Sequence, residues 1–277
     1  MKVNFGKILI LALLGLLIIS PIFATGAKDT GAGNTTVIKV GLVGERNDQW
    51  DHIVTMLAKD GITVQLVKFG DYTLPNQALA DGEIDLNAFQ HYAFLNNQIK
   101  DKGYKLSPIG DTIIAPLGLY SVKIKSLGEL KNGDKIAIPN DPTNGGRSLK
   151  VLETAGLIKV DPKAGYVPEV ADIIENRLNI QFIQVEASQT AGLLPDVAAA
   201  IINGGHATDH GLVPARDSIY LETQGTGSDN PYVNIIAART AEKDNPLYKK
   251  VVDAYHSAEV RKIIETVFNG IYMPAWK

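Results

Sequence analysis

Apolar positions along this chain recur with two periods that alternate. VIKVGLV (37–43) is a nearly unbroken apolar run of strand length, and after it Trp50, Ile53 and Leu57 recur at helical spacing. That spacing predicts a helix over Asp48–Lys59, stopped by Gly61. ITVQLVKF (62–69) reads as a second strand, LPNQALADG as a short helix, and Asp85–Phe89 as a strand feeding a helix over His91–Lys102 that ends at Gly103. Ile113–Val122 is apolar and strand-like. Strands alternating with helices predict an α/β lobe with a largely parallel sheet. The second half repeats the style but not the sequence. It predicts a strand at Lys135–Pro139, helices over Arg147–Ala155 and Pro168–Asn176, and an alternating strand at Ile180–Glu186. An apolar run at 198–202 and a buried strand at Tyr232–Ala238 follow, then helices at about 244–255 and 257–268. No short-period repeat occurs, so solenoids and coiled coils drop out.

The first 27 residues break the pattern. Lys2 and Lys7 precede an apolar run, Ile8–Ile19, and then Ser20, Pro21 and small residues up to Ala27. This is the order of an export signal cut after Ala27, with an uncut anchor as the alternative, and the run is short for a membrane span. A polar linker, Lys28–Thr36, comes next. The roughly 250 residues beyond the signal favour two lobes. Residues 1–27 carry two Lys and no acid, so 25 bases and 30 acids remain, a net charge of −5. That balance argues against nucleic acid and against a polybasic membrane anchor. The chain has no Cys, which excludes disulfides, thiol chemistry, thiolate metal sites and a lipid carried on Cys.

Four segments carry candidate chemistry. In Ile138–Ser148, IPNDPTNGGRS, a strand runs through a loop of Asn, Pro and Gly into a helix beginning at Arg147. Bare backbone N–H groups, a helix dipole and an Arg in one place suit a small carboxylate or phosphate, or else form an ordinary strand–loop–helix connection. Neither a Walker loop nor a dinucleotide-binding glycine pattern is present. FQHYAFL (89–95) sets Phe89, Gln90 and His91 at a strand-to-helix junction, where open α/β sheets bind ligands. Tyr72 lies on a turn between Gly70 and Pro75, and Asn234 interrupts an apolar strand. A buried amide there needs either a backbone partner or a ligand. His206 and His210 stand four apart but are flanked by Gly204, Gly205 and Gly211, so no metal site is expected. No nucleophile elbow occurs. An exported enzyme using His91, His206 and Asp209 or His210 is the rival from another class.

Taken together, VGLVGERNDQWDHI, DYTLPNQAL, GEIDLNAFQHYAFL, the long run from Pro116 to Leu152, the INGGHA region (202–207), NPYVNIIAAR and VFNGIYMPAW resemble the methionine-binding lipoprotein family, the extracytoplasmic receptors of methionine ABC importers. The likeness runs through residues 37–277 in order. It implies a two-lobed periplasmic-binding-protein fold of type II style, with one amino acid enclosed between the lobes. Lobe 1 would be 37–120 plus 230–277, and lobe 2 would be 121–229. Position by position, it implies that Arg147 grips the ligand carboxylate, that Asn144, Asn203 and Asn234 make polar contacts, and that Tyr72, Phe89 and His91 line the side-chain pocket. No cofactor, metal or catalysis is implied. The implied partners are methionine and a membrane permease with its cytoplasmic ATPase, and the protein is expected to be an exported, membrane-associated monomer. Another amino acid, a methionine dipeptide or an adhesion role are the alternatives. Three departures from the family pattern matter: the missing lipid-bearing Cys, which removes a lipid anchor, and, close to the implied ligand, His206 behind two glycines where a Tyr is common and Tyr92-Ala93 in place of a Pro.

Overall fold

The computed structural model describes residues 36–223, 230–268 and 272–276. The expected signal, and most of the linker and of the 223–229 loop, lie outside these residues. Among the described residues no helix is long and apolar enough to cross a membrane.

The chain runs β1 (Thr36–Val43), α1 (Asp48–Ala58), β2 (Ile62–Phe69), α2 (Pro75–Ala80), β3 (Leu86–Asn87), α3 (Tyr92–Lys102) and β4 (Leu106–Ile114). It continues through β5 (Leu117–Tyr120), β6 (Lys135–Pro139), α4 (Pro142–Thr154), β7 (Lys159–Val160), β8 (Ile173–Glu175) and β9 (Gln181–Val185). β10 (Ala199–Asn203), α5 (Gly204–Asp209), α6 (Pro214–Asp217), β11 (Ser218–Leu221) and β12 (Val233–Arg239) follow. α7 (Pro246–Tyr255), α8 (Ala258–Val267) and β13 (Met273–Pro274) complete it.

Two main sheets form. The six-stranded sheet has the order β13-β4-β12-β3-β1-β2, and the five-stranded one β11-β5-β10-β6-β9. Each is mixed. β1 pairs in parallel with β2 and β3, whereas β12 runs antiparallel to β3 and β4. β6 pairs in parallel with β9 and β10, and β5 is antiparallel to β10 and β11. The expected largely parallel sheet is therefore corrected, because the returning strand β12 inserts between β3 and β4 against the direction of both. Each sheet has its own core. Trp50, Ile53 and Leu57, at the predicted spacing, are buried with Ile38, Val40 and Leu42 of β1 and with Tyr255 and Ile264 of the last helices. Ile136, Ile138, Leu149 and Leu152 anchor the second core.

Three predicted elements differ. The single strand at Ile113–Val122 is two strands, broken at Ala115-Pro116, with β4 in one sheet and β5 in the other. Pro116 is a local mark of the break, but nothing in the run says that the second piece joins another sheet. The helix predicted over Pro168–Asn176 is a short 3-10 turn and then β8, antiparallel to β7. The helix predicted from Arg147 begins five residues earlier, at Pro142. Asp141 caps it by accepting the Asn144 N–H at 2.9 Å, and Pro142 sits at the first position, where its missing N–H costs nothing. Gly145 and Gly146 thus belong to a helix rather than a loop. A Cβ on Gly145 would lie 2.8 Å from the Pro139 carbonyl oxygen, and one on Gly146 would lie 2.8 Å from Val167 Cα. The glycines let the helix pack against its own strand and against 167–168.

Candidate functional site

The break at Ala115-Pro116 sets a cavity of about 850 Å3, mouth included, between the two sheets. All seven predicted site residues line it: Tyr72, Phe89, His91, Asn144, Arg147, Asn203 and Asn234. They come from the turn before α2, the β3–α3 junction, α4, the end of β10 and the start of β12.

The side-chain orientations follow from hydrogen bonding. His91 caps α3, and its Nδ1 accepts the Phe94 N–H at 3.0 Å. The proton must then sit on Nε2, which faces Asn144 Oδ1 at 3.5 Å across the cleft. Burial, reinforced by the Arg147 charge, holds the imidazole neutral, its pKa pushed down to about 3. Asn144 donates through Nδ2 to both oxygens of Asp141, at 3.1 and 3.0 Å. A carboxylate only accepts, so the Asn144 oxygen faces the other way and takes the Asn203 Nδ2 at 2.8 Å. That leaves Asn203 Oδ1 as a buried acceptor with no partner. Gln49, also on the cavity wall, has a second such orphan, Oε1. Burial raises the Asp141 pKa, and the hydrogen bonds from Asn144 and Thr143 oppose that shift. Asn234 is half-buried between buried Val233 and Ile235, and its side chain makes no hydrogen bond to a described residue. It is held through its backbone, which bridges to His91. Gln90 is not a free site amide. It closes a buried network with Asn76 (2.7 and 2.6 Å) and Asn87 (3.0 Å) that braces the junction from behind.

Arg147 is 2 % exposed. Its Nε and Nη2 edge is taken by Glu222 at 2.9 and 2.6 Å, Nη2 also donates to the Ala115 carbonyl at 3.0 Å, and the guanidinium lies 4.2 Å from the Tyr232 ring centre. The Nε–Nη2 edge is thus already used by the protein, and Nη1 is the donor group that makes no hydrogen bond to a described residue. The aromatic wall is Tyr72, Phe89 and Phe94, with ring centres 5.8 to 6.0 Å apart.

Of the departures beside the implied ligand, His206 and Tyr92-Ala93 stand off the cavity, whereas Gly204 and Gly205 line it. His206 packs behind Tyr72, ring centres 5.0 Å apart, rather than lining the wall. Burial lowers its pKa to about 4, and its Nε2 is unpartnered. Tyr92 turns away to donate to Asp111 at 2.7 Å, and the Ala93 N–H, which a Pro would lack, donates to the Pro231 carbonyl at 2.9 Å. His210 binds the His206 carbonyl, and no group of three or more His, Asp or Glu among the described residues could hold a metal ion.

Sequence reasoning missed Glu222, Asp141 as a capping residue and Gln49, and gave Asp209 a part only in the rival enzyme reading. Asp209 Oδ1 accepts the N–H groups of Glu45 and Arg46 at 3.1 and 3.3 Å. Gly44, at φ +90, leaves room for that carboxylate, since a Cβ there would sit 2.7 Å from Oδ2. The one available signal was Gln49, a polar residue one position from the apolar stripe of α1.

The sequence model of the NlpA lipoproteins matches residues 38–276. The chain belongs to the NlpA lipoprotein family. Among relatives of this family member, the D-methionine-binding lipoprotein MetQ of Escherichia coli K12 is 45 % identical over 243 residues, covering 86 % of this chain and 88 % of the relative. A nutrient-binding protein from Burkholderia cenocepacia, solved bound to methionine, superposes with a TM-score of 0.82 at 40 % identity, covering 86 % of this chain and all of that one. The substrate-binding protein of a methionine transporter from Streptococcus pneumoniae gives a TM-score of 0.82 at 40 % identity, covering 87 % and 96 %. This NlpA-family chain has the two-lobed fold of those neighbours.

Proposed function

We propose that this protein is an extracytoplasmic substrate-binding protein that captures methionine between its lobes and delivers it to a membrane permease with its cytoplasmic ATPase, performing no chemistry itself. The observation that carries the reading is the convergence of the seven predicted side chains on one cavity between the sheets. In this reading Arg147 meets the ligand carboxylate through Nη1. The orphan oxygen of Asn203 accepts from the ammonium, with Asn144 orienting it and Asn234 adding a contact. Tyr72, Phe89 and neutral His91 enclose the thioether, which favours aromatic neighbours by roughly 0.3–1.5 kcal/mol per sulfur–ring contact. Lobe 1 is the chain from residue 37 to the change of sheet at Ala115-Pro116 plus 230–277, and lobe 2 is the segment between, its first crossing a few residues before the expected residue 120; the two close on the ligand as an exported, membrane-associated monomer. The methionine named in the relatives MetQ and the B. cenocepacia protein supports this choice of ligand.

The test is calorimetric titration and thermal melting of the unfolded and refolded chain with L- and D-methionine, the other amino acids and short methionine peptides. Methionine at 100 times its Kd is expected to add about 2.7 kcal/mol of stability. A response to another amino acid alone would move the specificity, and no response to any of them would overturn the receptor reading in favour of adhesion.

A further inference from the structure

Arg147 meets more than a candidate ligand. Glu222 fills its Nε–Nη2 edge, and the Glu222 Oε2 that takes Nη2 at 2.6 Å also accepts the Leu117 N–H at 2.8 Å. Nη2 in turn donates to the Ala115 carbonyl. Residues 115–117 join the two sheets, so the pair is fastened to backbone on both sides of the break. Glu222 is 12 % exposed in its side chain and Arg147 2 %. At this depth opposite charges interact strongly, and an uncompensated one is costly.

The charges facing a ligand can then be counted. Arg147 is neutralised by Glu222, and both His91 and its neighbour Asn144 are uncharged. Asp141, behind Asn144, has the same sign as Glu222. Asp209 is engaged by the Glu45 and Arg46 N–H groups, and Arg46 is about half exposed beside Asp48. A bare monoanion entering here adds a negative charge with nothing buried to balance it. A zwitterion brings its own ammonium, and the orphan Asn203 oxygen is an acceptor ready for it.

Resting on the receptor reading above, we propose that Glu222 is the residue that makes this site select a zwitterionic amino acid over the corresponding anion without the amino group. It acts through Arg147, holding the guanidinium's donor edge and cancelling its charge. It is therefore a positioning and specificity-determining residue that need not touch the ligand.

The experiment is calorimetric titration of the wild type, E222Q and E222D with methionine and with its 2-oxo acid analogue, 4-methylthio-2-oxobutanoate. The wild type is expected to prefer methionine. In E222Q, Arg147 loses its counter-charge, and the ratio of the two affinities is expected to fall about tenfold or more toward the anion. E222D keeps the charge and is expected to keep the ratio within about twofold. A merely structural role would weaken both ligands alike, so an unchanged ratio in E222Q overturns the proposal. Should E222Q prove too unstable to titrate, Glu222→Ser is titrated with and without formate. Formate restoring the wild-type ratio supports the proposal, and a wild-type ratio without formate overturns it. A wild type that binds neither ligand overturns the receptor reading itself, which is a distinguishable result.

Discussion

Asp209, at the end of α5, accepts the backbone N–H groups of Glu45 and Arg46, in the loop after β1. A carboxylate from the five-stranded half is thus held by the turn of the six-stranded half, across the cavity mouth that both residues' segments line. Charge-assisted hydrogen bonds of this kind favour the closed arrangement. A ligand bound between the lobes gains from any contact made only on closure. Asp209→Asn is expected to weaken ligand binding about tenfold with little change in the melting of the unliganded chain. Titration calorimetry against the wild type checks this, and equal affinities would remove the clasp from the account.

Removing the Arg147 side chain has two separable consequences. Arg147→Ala leaves the largely buried Glu222 carboxylate without its partner, which is expected to cost about 3–5 kcal/mol of stability. It also removes the donor offered to a carboxylate, so the residual melting transition is expected not to move with methionine. Chemical denaturation with and without methionine separates the two. Arg147→Lys is expected to bind poorly as well, because one ammonium cannot serve Glu222, Ala115 and a ligand together.

Two buried imidazoles make stability depend on pH. The pKa values of His91 and His206 are lowered by burial, to about 3 and about 4, from about 6.5 in the unfolded chain. The unfolded state then binds more protons than the folded one below pH 6.5, so stability is full above that value and is lost as pH falls toward the folded pKa values. Between pH 7 and pH 5 the two together are expected to cost about 4 kcal/mol. Denaturant titrations at the two pH values measure the loss, and His206→Asn is expected to cut it by about half. No loss would mean that the imidazoles are not held neutral.

The glycine pair in α4 is a packing requirement. Gly145→Ala drives a methyl against the Pro139 carbonyl oxygen at 2.8 Å, and Gly146→Ala drives one against the backbone at Val167. Neither obstacle is a flexible side chain. Each substitution is expected to destabilise by about 1–3 kcal/mol, against the usual gain from replacing a helical glycine by alanine. Gly205→Ala is the control, since its Cβ would meet only Tyr272 Oη at 3.7 Å. Thermal melts of the three variants rank them.

Much of the site was legible in one dimension because its residues are poor core residues at positions where strands turn into helices. His91 at the β3–α3 junction and Asn234 in an apolar strand stand out on those grounds, whereas the places of Tyr72, Phe89, Asn144 and Asn203 came only from the family resemblance. The helices of the first half were legible because Trp50, Ile53 and Leu57 keep a period that one buried face enforces. Gly145 and Gly146 were misleading, since the same dipeptide that signals a loop also serves a helix lying close to its neighbours. Glu222 had no local mark at all, because its partner lies 75 residues away in the chain.

Local periodicity and residue chemistry determined the alternation of strands and helices, the exclusion of thiol and nucleic-acid roles, and a short list of polar and aromatic side chains out of place in a core. Those properties depend on neighbours within a turn or two. Tertiary structure alone decided that the largely apolar run at 113–122 changes sheets at Ala115-Pro116, that β12 returns between β3 and β4, and that Arg147 is shared with Glu222. Each of those is a pairing between distant segments, chosen by which buried donors and acceptors can satisfy one another once the two cores have packed.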